Sequence, residues 1–211
     1  MWGIAPGRLD ERKGGDVQEL WLARHGQTEW SLSRQHTSVT DVDLTDAGVR
    51  QAEALGARLA GNTFDRALSS PSIRARRTAE IAGFGEGLEI DDDLTEYRYG
   101  DYEGRTSDEI HRERPGWDLW RDGCPKGETT SQVARRADRV LARLKGEDGT
   151  AVIFSHGHMS RVLAARSVGL DGSAGALLML GTATLSIVGR EHGRLAIRLW
   201  NDGSHLDHAE L

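Results

Sequence analysis

Alternating strand-like and helix-like segments predict an α/β fold with three layers, α/β/α, a mainly parallel central sheet and a C-terminal antiparallel hairpin. Three observations carry this expectation. Short apolar runs at 19–24 and 150–155 read as buried strands, each followed by His-Gly. Segments of helical period lie between the strands, and such alternation implies a parallel sheet covered on both faces. The 211 residues suit one domain, which should bury roughly 70% of its unfolded surface.

Met1 to Gln18 is rich in glycine and charge and has no apolar period, so it is expected to be a flexible leader before a single domain at 19–211. Order begins with the run Glu19 to Arg24. After a polar loop to Leu44, Thr45-Asp46-Ala47-Gly48 opens a helix whose apolar positions Val49, Ala52, Leu55 and Leu59 recur at three and four. Arg66 to Ser69 is a second short strand. Beyond Pro71 a helix is expected from about 72 to 82, with Gly83 as its stop. Residues 84–128 are weakly periodic and hold Tyr97, Tyr99, Tyr102, Trp117 and Trp120. They are expected to be a substrate-side insertion, because such segments are more often functional than accidental. Thr129-Thr130-Ser131-Gln132 fits a capping box ahead of a long helix striped by Val133, Ala137, Val140, Leu141 and Leu144. The strand Thr150 to Ser155 runs through His156-Gly157-His158 into a helix carrying Val162, Leu163, Ala165 and Val168. Residues 184–188 and 195–199 flank a turn at His192-Gly193 and read as the hairpin.

The chain has 24 arginines and three lysines against 33 acidic residues, a net charge of −6. Without a basic run, general nucleic-acid binding is excluded as an expectation, and the six tryptophans read as core and rim packing rather than a base-stacking platform. No segment approaches the roughly 18 apolar residues of a membrane span, and the start lacks a signal peptide's apolar region. The single cysteine, Cys124, excludes an intramolecular disulfide and fits a reducing cytosol, so the expected location is cytoplasmic. Most of the arginines are expected on the solvated surface. The oligomeric state stays open, with a homodimer among the alternatives.

Ligands of open parallel sheets bind beyond the carboxyl ends of the strands, so His25 and His156 should face one crevice. A lone histidine after a strand is more often a satisfied structural residue; two of them, one preceded by Arg24, favour a site. Among Arg74, Arg76 and Arg77, only Arg74 sits in the first helical turn, where a helix N-terminus also favours an anion. His-x-His at 156–158 invites a zinc reading, but no second ligand cluster supports it, and no metal is expected.

The heptad Arg24-His25-Gly26-Gln27-Thr28-Glu29-Trp30 resembles the signature of the histidine phosphatase superfamily, also called phosphoglycerate mutase-like. The similarity continues in order through Asp41 to Gly48, Ser69-Ser70-Pro71 to Thr78-Ala79, Leu94-Thr95-Glu96 to Glu103-Gly104, and Phe154 to His158, over about 19–200. The resemblance implies a phosphohistidine intermediate, no metal and no cofactor. It makes His25 the nucleophile, Arg24 and Arg74 the phosphate clamps, His156 the second pocket histidine and Glu96 the proton donor. These roles are chemically coherent. A neutral imidazole can attack phosphorus if its other nitrogen donates to a backbone carbonyl, and guanidinium forks match the equatorial oxygens. A protonated His156 would add a donor. Glu96, as acid and then base, would need a carboxyl pKa raised by burial.

Ser31 stands where many members have Asn, and Ser38 where many have Gly. The loop at 35–38 contacts substrate in the family, which makes Ser31, His36, Thr37 and Ser38 substrate-binding candidates. Tyr99, Gly157, His158 and Arg161 join them by motif position, while Cys124 has no base at motif spacing and reads as a loop residue. Three functions follow: a phosphomonoesterase acting on a small phosphorylated metabolite of sugar phosphate or phosphoglycerate type, a cofactor-dependent phosphoglycerate mutase, or a phospho-ligand binder without turnover. Intact matched positions disfavour the third. Little room separates Glu96 from His156 for the mutases' insertion. The stretches 99–104, 117–125 and 127–129 resemble phosphatase members such as sedoheptulose-1,7-bisphosphatase and bacterial acid phosphatases, so the phosphatase is favoured.

Overall fold

Chain order gives β1 (Glu19–Arg24), α1 (Glu29–Leu32), α2 (Asp46–Leu59), β2 (Arg66–Ser69), α3 (Ile73–Ala79) and β3 (Glu89–Ile90). It continues with α4 (Ser107–Glu113), α5 (Leu119–Asp122), α6 (Thr130–Leu144), β4 (Thr150–Ser155), α7 (Gly157–Ser167), β5 (Leu185–Glu191) and β6 (Arg194–Asp202). The computed structural model describes residues 19–145 and 149–206; the leader expected at 1–18 lies outside the described residues. One sheet has the order β3-β2-β4-β1-β5-β6. Its first four strands pair in parallel and β5 and β6 join antiparallel, as the α/β/α expectation requires.

The strands read as apolar runs because both faces are covered. Leu20, Leu22, Ala151 and Ile153 meet Val133, Val140, Val162 and Leu163 of α6 and α7. Their neighbours Trp21, Ala23, Val152 and Phe154 turn to Leu55, Leu59 and Ala79 on α2 and α3. The capping box predicted for α6 is present: Thr129 Oγ1 accepts from Gln132 N, and the Gln132 side chain returns to Thr129 N. Among the described residues no helix is long and apolar enough to cross a membrane.

One segment differs from expectation. The helix after Pro71 ends at Ala79 rather than 82, and the chain continues as a single π-turn through Phe84, with Gly83 at φ 95°. That left-handed angle is where glycine ends the helical path without steric cost. Residues 84–128, expected as a substrate-side insertion, also form a built part of the core. Leu94, Tyr97, Tyr102, Ile110, Trp117 and Leu119 are buried against the α6–α7 face. Their elements span only two to seven residues, too short for a period to show in sequence. Side chains hold them instead: Thr106 and Glu109 form a capping box, and Asp118 caps α5.

The turn after β1 touches the start of α2 backbone to backbone. A Cβ on Gly26 would lie 2.4 Å from Gly48 O, and one on Gly48 would lie 2.1 Å from Gln27 O. Neither backbone can yield without moving the His25 turn. Gly48→Ala is therefore expected to destabilise the fold by about 1–3 kcal/mol, read as a lower midpoint in thermal unfolding; an unchanged midpoint would refute the contact.

Candidate functional site

Parallel register places Arg24 opposite Ser155, so the next residue of each strand, His25 or His156, leaves the sheet at the same end. The two rings lie 5.2 Å apart between centroids. The His25 backbone extends the pairing by donating to Ser155 O at 3.0 Å. Its ring donates from Nδ1 to Gly26 O at 2.8 Å, which leaves a lone pair on Nε2. Burial, followed by the charges of Arg74 and Arg24, pushes this imidazole well below its usual 6.5. The turn is pinned from α3: Gly26 N donates to Thr78 Oγ1, which donates to Arg74 O.

Arg74 is 0% exposed, and it points from the first turn of α3 into the loop after α1. Nη1 donates to Thr40 O and Nη2 to Thr37 O. Arg76 and Arg77 serve elsewhere, on Pro71 O and Asp43. Arg24 donates from Nη1 to Leu180 O at 2.6 Å. His156 is buried, with Nε2 2.7 Å from Ser70 Oγ. Burial and the nearby Arg74 charge hold it well below 6.5, which favours the neutral ring in the free site. Arg24 Nε, Arg74 Nε and His156 Nδ1 are buried without a partner among the described residues. An unsatisfied buried donor costs about 1–3 kcal/mol, and a cluster of them around two guanidiniums is a place prepared for an anion.

Glu96 is buried rather than a surface carboxylate. Oε1 accepts from Tyr97 N and Met159 N at 2.8 Å, and Oε2 accepts from His158 N at 3.0 Å. Because the N-cap residue of α7, His156, offers no side-chain bond, Glu96 caps that helix from across the fold. The segment carrying it is fastened by Arg136, which is 8% exposed and is an exception among arginines expected mostly on the surface. Arg136 donates to Asp93 O and Thr95 O at 2.7 Å and to Glu96 O at 3.2 Å, and it ion-pairs with Glu128 at 2.7 Å. Burial raises the Glu128 carboxyl, but Arg136 outweighs it and holds the group below its usual value.

A cavity of about 260 Å3 opens over these groups. Ser31, His36, Thr37, Tyr99, Gly157, His158 and Arg161 line it with Arg24, His25 and Glu96. Ser38 does not: its Oγ and backbone N both donate to the Glu103 carboxylate, which shapes the loop from behind. The Ser31 hydroxyl is committed to Thr28, donating to its carbonyl and accepting from its N–H. Thr28, Arg34, Gln35 and Leu180 also line the cavity, though none stood out in sequence; for Arg34 and Gln35 the signal was their place beside His36. Burial drives the His36 ring down to about 4, and the ring lies 4.5 Å from that of Tyr99. Burial holds the Tyr99 hydroxyl protonated well above its usual value. Its oxygen lies 2.7 Å from His158 Nδ1, and the two groups share a hydrogen bond. Among the described residues no group of three or more His, Cys, Asp or Glu could hold a metal ion.

Four imidazoles of the site thus titrate low. His25, His156 and His158 lie well below 6.5 and His36 near 4, with burial the first cause in each. The unfolded chain takes up these protons near pH 6.5 and the folded chain does not. Stability is then complete above that value and falls as pH drops below it toward the folded pKa values. The limiting slope is about 1.4 kcal/mol per imidazole per pH unit. Urea midpoints should fall steadily from pH 7 to 5; a flat profile would refute the neutral rings.

Residues 20–203 match the family described as the histidine phosphatase superfamily (branch 1). The chain is 41% identical over 178 residues to an acid phosphatase of Mycobacterium tuberculosis, covering 82% of this chain and 87% of the relative. It is 37% identical over 182 residues to the sedoheptulose 1,7-bisphosphatase of Saccharomyces cerevisiae, covering 71% and 67%. Among solved structures, a Mycobacterium tuberculosis open reading frame product superposes with TM-score 0.82 at 38% identity, over 87% of this chain and 97% of that one.

Proposed function

The chain belongs to the histidine phosphatase superfamily, and from that premise we propose that it is a phosphomonoesterase acting on a small phosphorylated metabolite through a phosphohistidine on His25. The observation that carries the reading is the neutral His25 ring, its Nε2 lone pair freed by the Gly26 bond, beside guanidinium donors that lack protein partners. Arg24, Arg74 and His156 hold the phosphoryl oxygens. His25 Nε2 attacks phosphorus in line, the ester P–O bond breaks, and Glu96 gives a proton to the leaving oxygen. Glu96, now a carboxylate, takes a proton from water as that water attacks the phosphohistidine; phosphate leaves and Nε2 regains its lone pair. His158 and Arg161 meet the leaving group. The cavity volume favours a small ester, and the names of the acid phosphatase and bisphosphatase relatives favour water as acceptor. A single cysteine is compatible with work in the reducing cytoplasm.

Rapid quenching after brief exposure to substrate, followed by peptide mass analysis, should find an acid-labile phosphoryl group on His25. Incubation with 3-phosphoglycerate and its bisphosphate primer separates the alternatives: phosphate release supports the phosphatase, and fast isomer formation with negligible release would replace it with a mutase.

A further inference from the structure

Of the three groups that would hold the phosphoryl oxygens, Arg24 and Arg74 offer donors only, because a guanidinium has no acceptor. His156 is different. A neutral imidazole carries one N–H and one lone pair, and the bond made by one nitrogen decides which of them the other presents. Burial and the Arg74 charge favour that neutral ring. Nδ1 is buried without a partner among the described residues, whereas Nε2 lies 2.7 Å from Ser70 Oγ. Hydroxyl and imidazole can each donate across this contact, so the direction of one hydrogen bond sets what Nδ1 shows to an anion.

Ser70 is built into its position. β2 and β4 pair in parallel with Ser69 opposite Phe154, and Ser70 N extends the ladder by donating to Phe154 O at 3.0 Å. The end of β2 is thereby held level with the chain that leaves β4 toward His156. Ser70 is 0% exposed, and its carbonyl accepts from Ser69 Oγ at 2.9 Å. Ser72 N donates to Ser70 Oγ at 3.3 Å, which occupies a lone pair and leaves the hydroxyl proton to give away. Two acceptors are in reach, His156 Nε2 at 2.7 Å and Ser72 Oγ at 3.3 Å. The shorter contact favours His156, and an arriving anion favours it again. With the proton on Nε2, the Nδ1 lone pair would oppose phosphoryl oxygen, acceptor against acceptor. With the proton on Nδ1, all three clamps donate.

We propose that Ser70 is a positioning residue: its hydroxyl donates to His156 Nε2 and so keeps the His156 proton on Nδ1, aimed at a phosphoryl oxygen. The proposal rests on the phosphatase reading above, but its first test needs no turnover. Nitrogen NMR of the wild-type protein, with the His156 ring assigned through its backbone signals, should show a protonated Nδ1 and an unprotonated Nε2. The opposite tautomer overturns the proposal, whatever any variant does. In Ser70→Ala the Nδ1 proton loses its support, so its population should fall. The same variant should lower kcat/KM about tenfold or more, as expected for a hydrogen bond to a charged group, mainly through kcat. Because Ser70 acts through His156, the two losses should not add: Ser70→Ala in a His156→Ala background should cost nothing further. Wild-type kcat/KM in Ser70→Ala, or an undiminished loss in that background, also overturns the proposal. Absence of phosphate release by the wild type from every ester of a sugar phosphate and phosphoglycerate panel would instead overturn the phosphatase reading and leave the tautomer to the NMR result.

Discussion

His25→Asn is expected to lower kcat/KM for any phosphomonoester substrate by on the order of 10^4-fold or more and to remove the acid-labile phosphoryl label. The size follows from what the ring does. In the proposed mechanism its Nε2 is the atom that bonds to phosphorus, and an amide presents no equivalent lone pair. The fold should survive the change. His25 is neutral, its one side-chain bond goes to the adjacent Gly26 carbonyl, and the turn is held separately by Thr78 and by backbone pairing to Ser155. Asn also removes a buried ring that resists protonation, so the acid sensitivity of folding should lessen as the activity is lost. Thermal unfolding and stopped-time phosphate assays on the same sample read both effects. Full turnover by this variant would end the phosphohistidine mechanism.

Arg136→Met should have the largest effect on stability, about 3–5 kcal/mol. It leaves Glu128 buried without its partner and strips hydrogen bonds from Asp93 O, Thr95 O and Glu96 O. The same bonds position Glu96, the proton donor of the proposed mechanism, so a second effect follows that a general loss of stability would not produce. For kcat/KM, which reports the steps through departure of the leaving group, alkyl phosphates need the Glu96 proton more than aryl phosphates do. The variant should therefore lose more activity on glycerol phosphate than on p-nitrophenyl phosphate. Arg136→Met/Glu128→Leu should recover stability, because a buried ion pair can be replaced by apolar groups, without recovering the alkyl ester. A uniform loss across leaving groups would reduce Arg136 to a structural part.

Local pattern sufficed for much of this. The apolar runs at β1 and β4, the stripe and capping box of α6, and the hairpin β5–β6 each declare themselves within a window of fifteen residues, because burial on one or two faces imposes a short period. Residues 84–128 did not, since elements of two to seven residues are stabilised by contacts with α6 and α7 instead of by their own repeat. Arg24, His25, Arg74, Glu96 and His156 were candidates from position and motif, and the structure gathers them at one end of the sheet.

Two kinds of fact lay beyond any window. The β1–β4 register, Arg24 opposite Ser155, decides that His25 and His156 are neighbours, and register follows from how the helices bury the two sheet faces. Burial of polar side chains decides the rest. Ser38 turns to Glu103, Arg136 enters the core to fasten Glu96, and the His156 ring becomes neutral between burial and two guanidiniums. The sequence by itself determined the strands, the helices and the chemical groups available. The tertiary structure decided which of those groups meet and in what charge state, because distance and dielectric are properties of the folded chain alone.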